Sequence, residues 1–378
     1  MSDGVKVALL PTRDGQRLGV LTLDSPASLN ALSLPMIQAL AQQLADWQDD
    51  DTVCGVLLEG AGEKAFCAGG DIRAFYHERQ RMTDPELADY ACAFFEQEYR
   101  LDLLIHHYPK PLICVADGIC MGGGMGLFAG ARFRLVTECS LLAMPEVSIG
   151  LYPDVGASWF LSRLPGRVGL WLGLTGARIN GADALGLGLA DGALSRAARP
   201  QLIEALLRLD WRQPAEELDD SLALMLAALG AAAPLPEPLL LPHLAQIESL
   251  LLGRSLVRVL DRLFDAPLTG SLAQQRDSCR SGSPLSRALL WRQYWQGRQQ
   301  SLAGSFANEL TLSVNCVLKG DFIEGVRALL IDKDKQPRWQ DAEQTAIAEF
   351  YRWPACAGAS NPLWRELKGQ ATHGDSSI

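Results

Sequence analysis

The order of apolar patterns along the chain predicts an α/β fold that continues into a mainly helical C-terminal region. Strand patterns alternate with amphipathic helix patterns over the first half, which indicates helices layered on largely parallel strands. From about Arg196 onwards, Ala- and Leu-rich helical patterns dominate and strand patterns nearly vanish. We therefore divide the chain into a core at residues 1–197 and a mainly helical region at residues 198–378.

The individual elements follow from periodicity and from the residues at their ends. The predicted strands are apolar runs bounded by turn residues, at 5–10, 19–23, 53–59, 111–116, 133–136 and 141–144. The predicted helices have apolar residues three or four positions apart, at 33–50, 84–107, 125–131, 201–209 and 221–229. Ser33 is followed by Pro35 in the first turn and Asp84 directly by Pro85, so we expect both to cap the first two helices. A proline-rich loop is expected at 230–240.

Composition excludes several classes of protein. The net charge is −10, whereas a nucleic-acid binder usually presents a basic face. Nine cysteines without any Cys-x-x-Cys spacing disfavour a disulfide framework or a zinc site, and they favour a reducing compartment such as the cytoplasm. The longest uncharged apolar run, 222–236, is too short to cross a bilayer, and the N-terminus lacks the pattern of a signal peptide. We expect a cytoplasmic protein that binds neither nucleic acid nor membrane.

Two glycine clusters are the first candidates for a functional site. Gly69-Gly70 follows a predicted strand, and a loop with two glycines lets backbone N–H groups approach a bound group closely. Gly122-Gly123-Gly124 stands where a strand passes into a helix, whose first N–H groups have no partner within the helix. Such a helix end favours an anion or a developing oxyanion.

Each cluster taken alone also fits a purely structural role. A glycine pair is common in loops, and a glycine triplet allows close packing at a strand–helix junction. Neither cluster has the Gly-Lys-Ser/Thr ending of a phosphate loop, and the spacing at 122–126 differs from a dinucleotide fingerprint.

Four segments in the same order resemble the crotonase (enoyl-CoA hydratase/isomerase) superfamily. They are residues 28–32, 64–72, 111–126 and 174–190. Within that superfamily, residues 121–126, 143–156 and 321–334 resemble the 3-hydroxyisobutyryl-CoA hydrolases. The resemblance implies a crotonase-like spiral of ββα units with a helical C-terminal extension. It also implies hydrolysis of a short-chain 3-hydroxyacyl-CoA thioester without a cofactor, with CoA as part of the substrate, and a possible homo-oligomer.

The resemblance assigns roles position by position. The backbone N–H groups of Gly70 and Gly123 would form the oxyanion hole for the thioester carbonyl. Glu146 would be the principal catalytic carboxylate and Asp154 the second one, while Glu98 would contact the substrate. Ala68 and Ile72 stand where the superfamily holds the adenine and pantetheine of CoA. No metal ligand set is implied.

The chemistry of these residues favours hydrolysis. The hydratases of the superfamily carry a second glutamate where this chain has Gly126, and water addition to a double bond needs both a base and an acid. Glu146 stands among apolar residues, where desolvation should raise its pKa. Double-bond isomerisation and a non-catalytic scaffold remain as alternatives.

Several residues keep a structural alternative. Asp154 is also a candidate N-cap for a helix near Gly156, and Glu98 also fits a solvated helix face. Cys67 fits a buried filler better than a nucleophile. Lys64 and Arg73 are possible contacts for the CoA phosphates, and the pair at 106–107 fits a surface or helix end better than a metal site.

Overall fold

The chain forms two compact units whose segments alternate in sequence. The structure is a computed structural model, and it describes residues 4–342 and 347–367. Within that part of the chain, unit one comprises residues up to Gly70, 100–143 and 178–242. Unit two comprises 71–99, 144–177 and the residues from His243 onwards. The sequence-based division at residue 197 follows secondary-structure content instead and stays a prediction.

All described strands belong to unit one. They are β1 (Val5–Pro11), β2 (Arg17–Leu23), β3 (Val53–Gly60), β4 (Ala65–Cys67), β5 (Leu112–Ala116), β6 (Ile119–Met121), β7 (Phe133–Val136), β8 (Leu141–Ala143), β9 (Ile179–Asn180) and β10 (Gly192–Ala193). The larger sheet has the order β1-β2-β3-β5-β7-β10, and the smaller one has the order β4-β6-β8-β9. Only the β1–β2 and β8–β9 pairs are antiparallel among the described strands.

Helices make up most of the remaining described chain. The first eight are α1 (Leu34–Gln48), α2 (Arg73–Arg79), α3 (Asp84–His106), α4 (Gly123–Gly130), α5 (Ala157–Phe160), α6 (Val168–Thr175), α7 (Gly181–Gly186) and α8 (Arg199–Arg208). The others are α9 (Ala215–Gly230), α10 (Leu244–Leu250), α11 (Leu256–Asp265), α12 (Gly270–Ser281), α13 (Pro284–Gly297), α14 (Leu302–Lys319) and α15 (Phe322–Val326). Short 3₁₀ and π turns join several of them.

The core of unit one lies between the larger sheet and helices α8 and α9. Leu57 and Ile113 from the sheet pack with Leu202 and Leu222 from the two helices, and all four are fully buried. Burying a Leu or Ile side chain stabilises a fold by about 1.5–3 kcal/mol, so this apolar layer fixes the sheet from which the glycine segments extend.

The core of unit two is rich in aromatic side chains. Phe75 of α2 contacts Phe94 and Phe95 of α3, and it also contacts Phe322 of α15, with ring centroids 5.3–5.5 Å apart. Such pairs add about 0.5–1.5 kcal/mol beyond the burial of apolar area. Helix α14 is buried on nearly every side. These contacts hold α3 and α14, which both carry polar groups of the candidate site.

The α/β fold class is confirmed, together with every predicted strand and helix. The N-cap at Ser33 is confirmed, because its side chain accepts a hydrogen bond from the Met36 N–H. The cap at Asp84 is wrong: Asp84 is the first helical residue, and Glu86 accepts hydrogen bonds from the N–H and the hydroxyl of Thr83. Strands β4, β6, β9 and β10 and helices α2, α6, α7 and α10–α15 were not predicted individually, and the shortest of these elements carry little periodicity.

Candidate active site

The two glycine segments meet inside unit one. Gly69 has φ +106°, and a Cβ added to it would lie 3.6 Å from the Gly123 nitrogen. Gly122, just before α4, has φ 50° and ψ −123°, a conformation open to glycine alone. The fold therefore brings the Gly69-Gly70 loop against the N-terminus of the helix that begins at Gly123.

A buried asparagine holds the loop in this position. The Asn30 side-chain amide donates to the carbonyls of Ala61 and Ala65, each at 2.9 Å, so it connects residues 28–32 to the segment around β4. The Leu32 N–H in turn donates to the Gly69 carbonyl at 2.8 Å. Because Asn30 is fully buried and φ 55° puts its backbone in the left-handed region, this residue fits a position that few other side chains tolerate.

The start of α4 presents backbone donors. The first N–H groups of a helix have no partner within that helix and carry the positive end of its dipole. At Gly124 an added Cβ would lie 2.4 Å from the Cys67 carbonyl oxygen, so only glycine lets the helix approach the loop this closely. Cys67 itself is fully buried, which agrees with the interpretation as a filler.

A cavity opens in unit one beside residues 28–32. It has a volume of about 300 Å³, the lower end of the range for small-molecule sites. Its walls come from residues 26–30 and 61–65, and Lys64 is exposed at its side. Ala68 is half-buried next to this region, with its N–H donating to the Leu29 carbonyl at 3.0 Å.

Three carboxylates of unit two are buried together. Glu98 of α3, Glu146 at the start of a 3₁₀ turn and Asp154 in the following loop are only 3%, 4% and 4% exposed. The alternative in which Glu98 lies on a solvated face is therefore wrong. One carboxylate oxygen each of Glu98 and Glu146 is buried without a hydrogen-bond partner among the described residues. Burying a carboxyl oxygen in this way is costly, so such groups are candidates for contacts with a ligand.

The three carboxyl groups also interact electrostatically. Burial, reinforced by the charge of Asp154, holds the pKa values of Glu98 and Glu146 well above their usual range. Burial raises the pKa of Asp154 to about 6, and a hydrogen bond from Tyr99 opposes this rise. The expected rise for Glu146 is confirmed.

The loop that carries Asp154 is held in an unusual backbone conformation. Val155 has φ 51°, which is costly for a β-branched residue, and Gly156 has φ 83°. The Asp154 carboxylate accepts a hydrogen bond from the Tyr99 hydroxyl at 2.7 Å. The alternative in which its side chain caps α5 is wrong, because the cap is supplied by Glu309, which accepts from the Gly156 N–H at 2.7 Å.

The turn that carries Glu146 packs against residues 321–325. Gly150 ends this turn with φ 74°, and a Cβ there would lie 2.3 Å from the Asp321 carbonyl oxygen. A Cβ on Gly325 would lie 2.1 Å from the carbonyl oxygen of Ile149. The Ser283 hydroxyl donates to the Asp321 carboxylate at 2.6 Å. The segment around 321–325 therefore packs directly on the turn that begins at Glu146, which explains why glycines are needed on both sides.

Sequence reasoning missed four polar residues around Asp154. They are Tyr99, Tyr152, Glu309 and Ser313, all fully buried in unit two. Glu309 is one of only two charged residues in α14, and a lone acid in an otherwise apolar helix is a signal that the pattern offered. The two tyrosines gave no comparable signal, because tyrosine is frequent in ordinary cores.

The remaining candidates lie outside these two clusters. Ile72 is half-buried and stands just before α2, while Arg73 is exposed. His107 Nδ1 forms a hydrogen bond with the Leu103 carbonyl within α3 and its C-terminal turn. Across residues 4–342 and 347–367, no group of three or more His, Cys, Asp or Glu side chains is arranged to hold a metal ion.

Similar proteins share both sequence and fold with this chain. The chain is 37% identical over 355 residues to the 3-hydroxyisobutyryl-CoA hydrolase of Gallus gallus, covering 93% of this chain and 88% of the relative. It is 40% identical over 338 residues to the protein of that name from Xenopus tropicalis, with 88% and 84% covered. Both relatives are named as mitochondrial.

Solved structures give the same result for the fold. An enoyl-CoA hydratase from Rhodobacter sphaeroides matches with a TM-score of 0.78 at 34% identity, covering 94% of this chain and 98% of that one. A carnitinyl-CoA dehydratase from Mycobacterium thermoresistibile matches with a TM-score of 0.78 at 32% identity, with 94% and 97% covered. The crotonase-like architecture with a helical C-terminal region is thereby confirmed.

The family model described as enoyl-CoA hydratase/isomerase matches residues 18–350, most of the chain and all of the elements that carry the glycine segments and the buried carboxylates. The protein belongs to the enoyl-CoA hydratase/isomerase family.

Proposed function

We propose that this enzyme hydrolyses the thioester of a short-chain 3-hydroxyacyl-CoA, in the first place 3-hydroxyisobutyryl-CoA, to the free acid and CoA. The relatives from Gallus gallus and Xenopus tropicalis bear the name of that activity and match along most of their length. The observation that carries the proposal is the buried cluster of Glu98, Glu146 and Asp154, because thioester hydrolysis needs carboxyl groups that take up and release protons.

The backbone donors would stabilise the charge that develops on the thioester oxygen. We assign this role to the N–H groups of Gly70 and Gly123, whose segments abut in unit one. A preorganised donor of this kind contributes roughly 3–4 kcal/mol to transition-state stabilisation. Ala68 and Ile72 would contact the adenine and pantetheine of CoA, with the half-buried exposure that a ligand contact needs.

The carboxyl groups would divide the proton transfers among them. Glu146, once ionised, would take a proton from water or attack the carbonyl itself to form an anhydride. Asp154 would orient Glu146 or the water, or protonate the departing thiolate. Glu98 would bind the substrate hydroxyl through its unpartnered oxygen, because a protonated carboxyl group both donates and accepts hydrogen bonds.

Hydration of an enoyl-CoA is the second candidate function. The solved relatives named as a hydratase and a dehydratase favour it. Gly126 disfavours hydration, because α4 has no acidic residue in its first turn, where the resemblance places a second glutamate of the hydratases. Isomerisation of a double bond would be measured in the same assay.

The proposed function is tested by thiol release from a panel of acyl-CoA esters. We expect 3-hydroxyisobutyryl-CoA to be cleaved fastest, and we expect Glu146→Gln to slow release by about 10²–10⁴-fold, the usual contribution of a general base. Glu204→Gln, which alters an exposed acid on α8, is the matched control and should retain wild-type turnover. Normal turnover by Glu146→Gln would contradict the assignment. A hydrated or dehydrated acyl-CoA product without CoA release would favour the second candidate.

The two routes of hydrolysis differ in where the oxygen of water goes. In single-turnover reactions in ¹⁸O-water, an anhydride route with water attack at Glu146 leaves ¹⁸O in that side chain. A general-base route places the label in the product acid alone. Mass analysis of the Glu146 peptide separates them.

The proposed location and binding partner rest on the cysteines and on the family membership. The nine cysteines are present as thiols, which agrees with a reducing compartment such as the cytoplasm, although the named relatives are mitochondrial. No helix in the described part of the chain is long and apolar enough to cross a membrane. The acyl-CoA substrate is the partner that the family membership supports.

A further inference from the structure

Three buried hydroxyl groups link the Asp154 carboxylate to a backbone carbonyl. The Tyr99 hydroxyl lies 2.7 Å from Asp154 Oδ2 and 2.8 Å from Ser313 Oγ. Ser313 Oγ lies 2.9 Å from the Tyr152 hydroxyl, which donates to the Glu309 carbonyl at 2.7 Å. All these residues belong to unit two, and Tyr99, Ser313 and Tyr152 are fully buried. We call these three residues the hydroxyl chain.

The number of hydrogens in the hydroxyl chain depends on Asp154. A carbonyl oxygen only accepts, so the Tyr152 hydroxyl donates its hydrogen to the Glu309 carbonyl. In the bond between Ser313 and Tyr152, the Ser313 hydroxyl must then be the donor. In the bond between Tyr99 and Ser313, the Tyr99 hydroxyl must for the same reason be the donor. All four bonds can therefore form at once only when Asp154 is protonated and donates to Tyr99.

The ionised form of Asp154 is also accommodated. A carboxylate accepts only, so the Tyr99 hydroxyl turns and donates to it, which leaves one bond of the chain without a hydrogen. Burial raises the pKa of both tyrosines, so their hydroxyl hydrogens stay in place in either state. Rotation of hydroxyl groups, without movement of the backbone, thus matches the chain to both protonation states of Asp154.

We infer that the hydroxyl chain allows Asp154 to be the group that delivers a proton to the sulfur of the departing CoA. The inference rests on the proposed hydrolysis and assigns one of its steps. As the carbon–sulfur bond breaks, its electron pair goes to sulfur, the Asp154 O–H bond breaks and an S–H bond forms. Asp154 is left ionised and accepts from Tyr99. The proton that Glu146 takes from water then returns to Asp154, which completes the balance.

Tyr99, Ser313 and Tyr152 are accordingly positioning residues, because they act through Asp154. Asp154 also interacts electrostatically with Glu98 from α3, Glu146 from the 3₁₀ turn, and Glu309 and Cys316 from α14, because its charge raises the pKa of each of them. Each is acidic or neutral, so no cation among these groups competes for the Asp154 charge. Moving one proton from Glu146 to Asp154 leaves the net charge of the cluster unchanged. The transfer makes Glu146 an ionised base and Asp154 a protonated acid.

Two substitutions in the hydroxyl chain should move the titration of Asp154 in opposite directions. Ser313→Ala removes two hydrogen bonds from the protonated form and one from the ionised form, so the protonated form loses more. Tyr99→Phe removes the donor to the ionised carboxylate, and hydrogen bonds to charged groups are stronger than neutral ones. We expect the limb of the kcat–pH profile that reports the Asp154 proton to shift down by about one pH unit in Ser313→Ala and up by about one unit in Tyr99→Phe.

An infrared titration provides a second measurement that needs no substrate. The carboxyl band that disappears in Asp154→Asn reports the protonation of Asp154 and should show the same two opposite shifts. Ser313→Thr keeps a hydroxyl group and should restore the wild-type limb. Tyr294→Phe is the matched control, because the buried Tyr294 hydroxyl donates to the Gly166 carbonyl at 3.2 Å, outside the chain, and should leave the limb in place.

The outcomes separate this inference from the proposed function. Opposite shifts in an enzyme that releases CoA support the inference. Unmoved limbs, or shifts in the same direction, in an enzyme that releases CoA overturn the inference alone, because a merely structural role would lower the rate without displacing the titration. Failure of the wild type to release CoA from any 3-hydroxyacyl-CoA overturns the proposed function, and the delivery step with it.

Discussion

The carboxylate of Glu309 accepts the backbone N–H of Gly156 at 2.7 Å, two residues beyond Asp154. Its second oxygen accepts the N–H and the hydroxyl of Ser158, at 3.0 and 2.5 Å. These bonds satisfy donors at the start of α5 and hold the segment that includes Val155 in its left-handed conformation. A residue of the C-terminal region thus fixes the loop of a candidate catalytic carboxylate.

Removal of Glu309 should destabilise the fold. In Glu309→Ala the N–H groups of Gly156 and Ser158 stay buried without acceptors, at about 1–3 kcal/mol each. We expect the free energy of unfolding, measured by denaturant titration, to fall by roughly 3–5 kcal/mol. Glu204→Ala, which removes an exposed partner of Arg208, is the control and should change it by less than about 1 kcal/mol. Equal stability of the two variants would contradict the capping role.

The buried carboxyl groups should make stability fall as the pH rises. The pKa of Glu98 is raised by burial, that of Asp154 to about 6 and that of Glu309 to about 8, so the native state keeps protons that the unfolded state releases above about pH 4.5. The unfolded state then binds fewer protons, and the free energy of unfolding decreases from about pH 5 to pH 8.

Glu98→Gln removes one of these groups and provides the test. We expect a shallower pH dependence and, at pH 8, a higher free energy of unfolding than in the wild type, because an amide needs no proton to be buried neutral. Denaturant unfolding at pH 5.5 and pH 8 measures both quantities. The exposed substitution Glu204→Gln should retain the wild-type slope. A slope in Glu98→Gln as steep as in the wild type would contradict the prediction.

Close contact between the glycine segments should matter for catalysis. Gly124→Ala would place Cβ 2.4 Å from the Cys67 carbonyl oxygen, so the start of α4 must move away from the loop at Gly70. We expect kcat for thiol release to fall by at least about tenfold, towards the 10²–10³ seen when an oxyanion donor is lost.

The control for this variant is Gly188→Ala. Gly188 also lies in unit one, and its added Cβ meets nothing within 4 Å, although its φ of +74° makes the substitution mildly destabilising. It should lower the melting temperature and leave kcat close to wild type. If Gly124→Ala lowers stability alone and keeps full kcat, the proposed donor role of Gly123 is wrong.

The packing of residues 321–325 on the turn Glu146–Ile149 predicts a second effect at a distance in sequence. Gly325→Ala would place Cβ 2.1 Å from the Ile149 carbonyl oxygen and displace the turn that begins at Glu146. We expect kcat to fall by about tenfold or more, because small displacements of a reacting group are costly. Gly253→Ala is the control, because its Cβ lies in open space in unit two, although its φ of +108° makes the substitution destabilising. Steady-state kinetics with matched unfolding curves measure the effect. An unaffected kcat in Gly325→Ala would contradict the prediction.

Local sequence determined much of the fold. The strand at 53–60 and the helix after Ser33 were predictable because hydrophobic periodicity and a capping side chain act over a few residues. The glycine segments were predictable as well, since close backbone approach and positive φ require glycine itself. The resemblance supplied the order of the motifs, and family membership then agreed with it.

What the tertiary structure decided is the environment of the carboxyl groups. Tyr99 and Asp154 are 55 positions apart, and Tyr99 and Ser313 are 214 positions apart, so no local sequence pattern predicts their hydrogen bonds. The cap that Glu309 supplies to α5 could not be predicted for the same reason, because Gly156 and Glu309 are 153 positions apart. Residue type and neighbours identify an acid as a candidate, but its burial and protonation depend on side chains that only the packing of α3 against α14 brings to it.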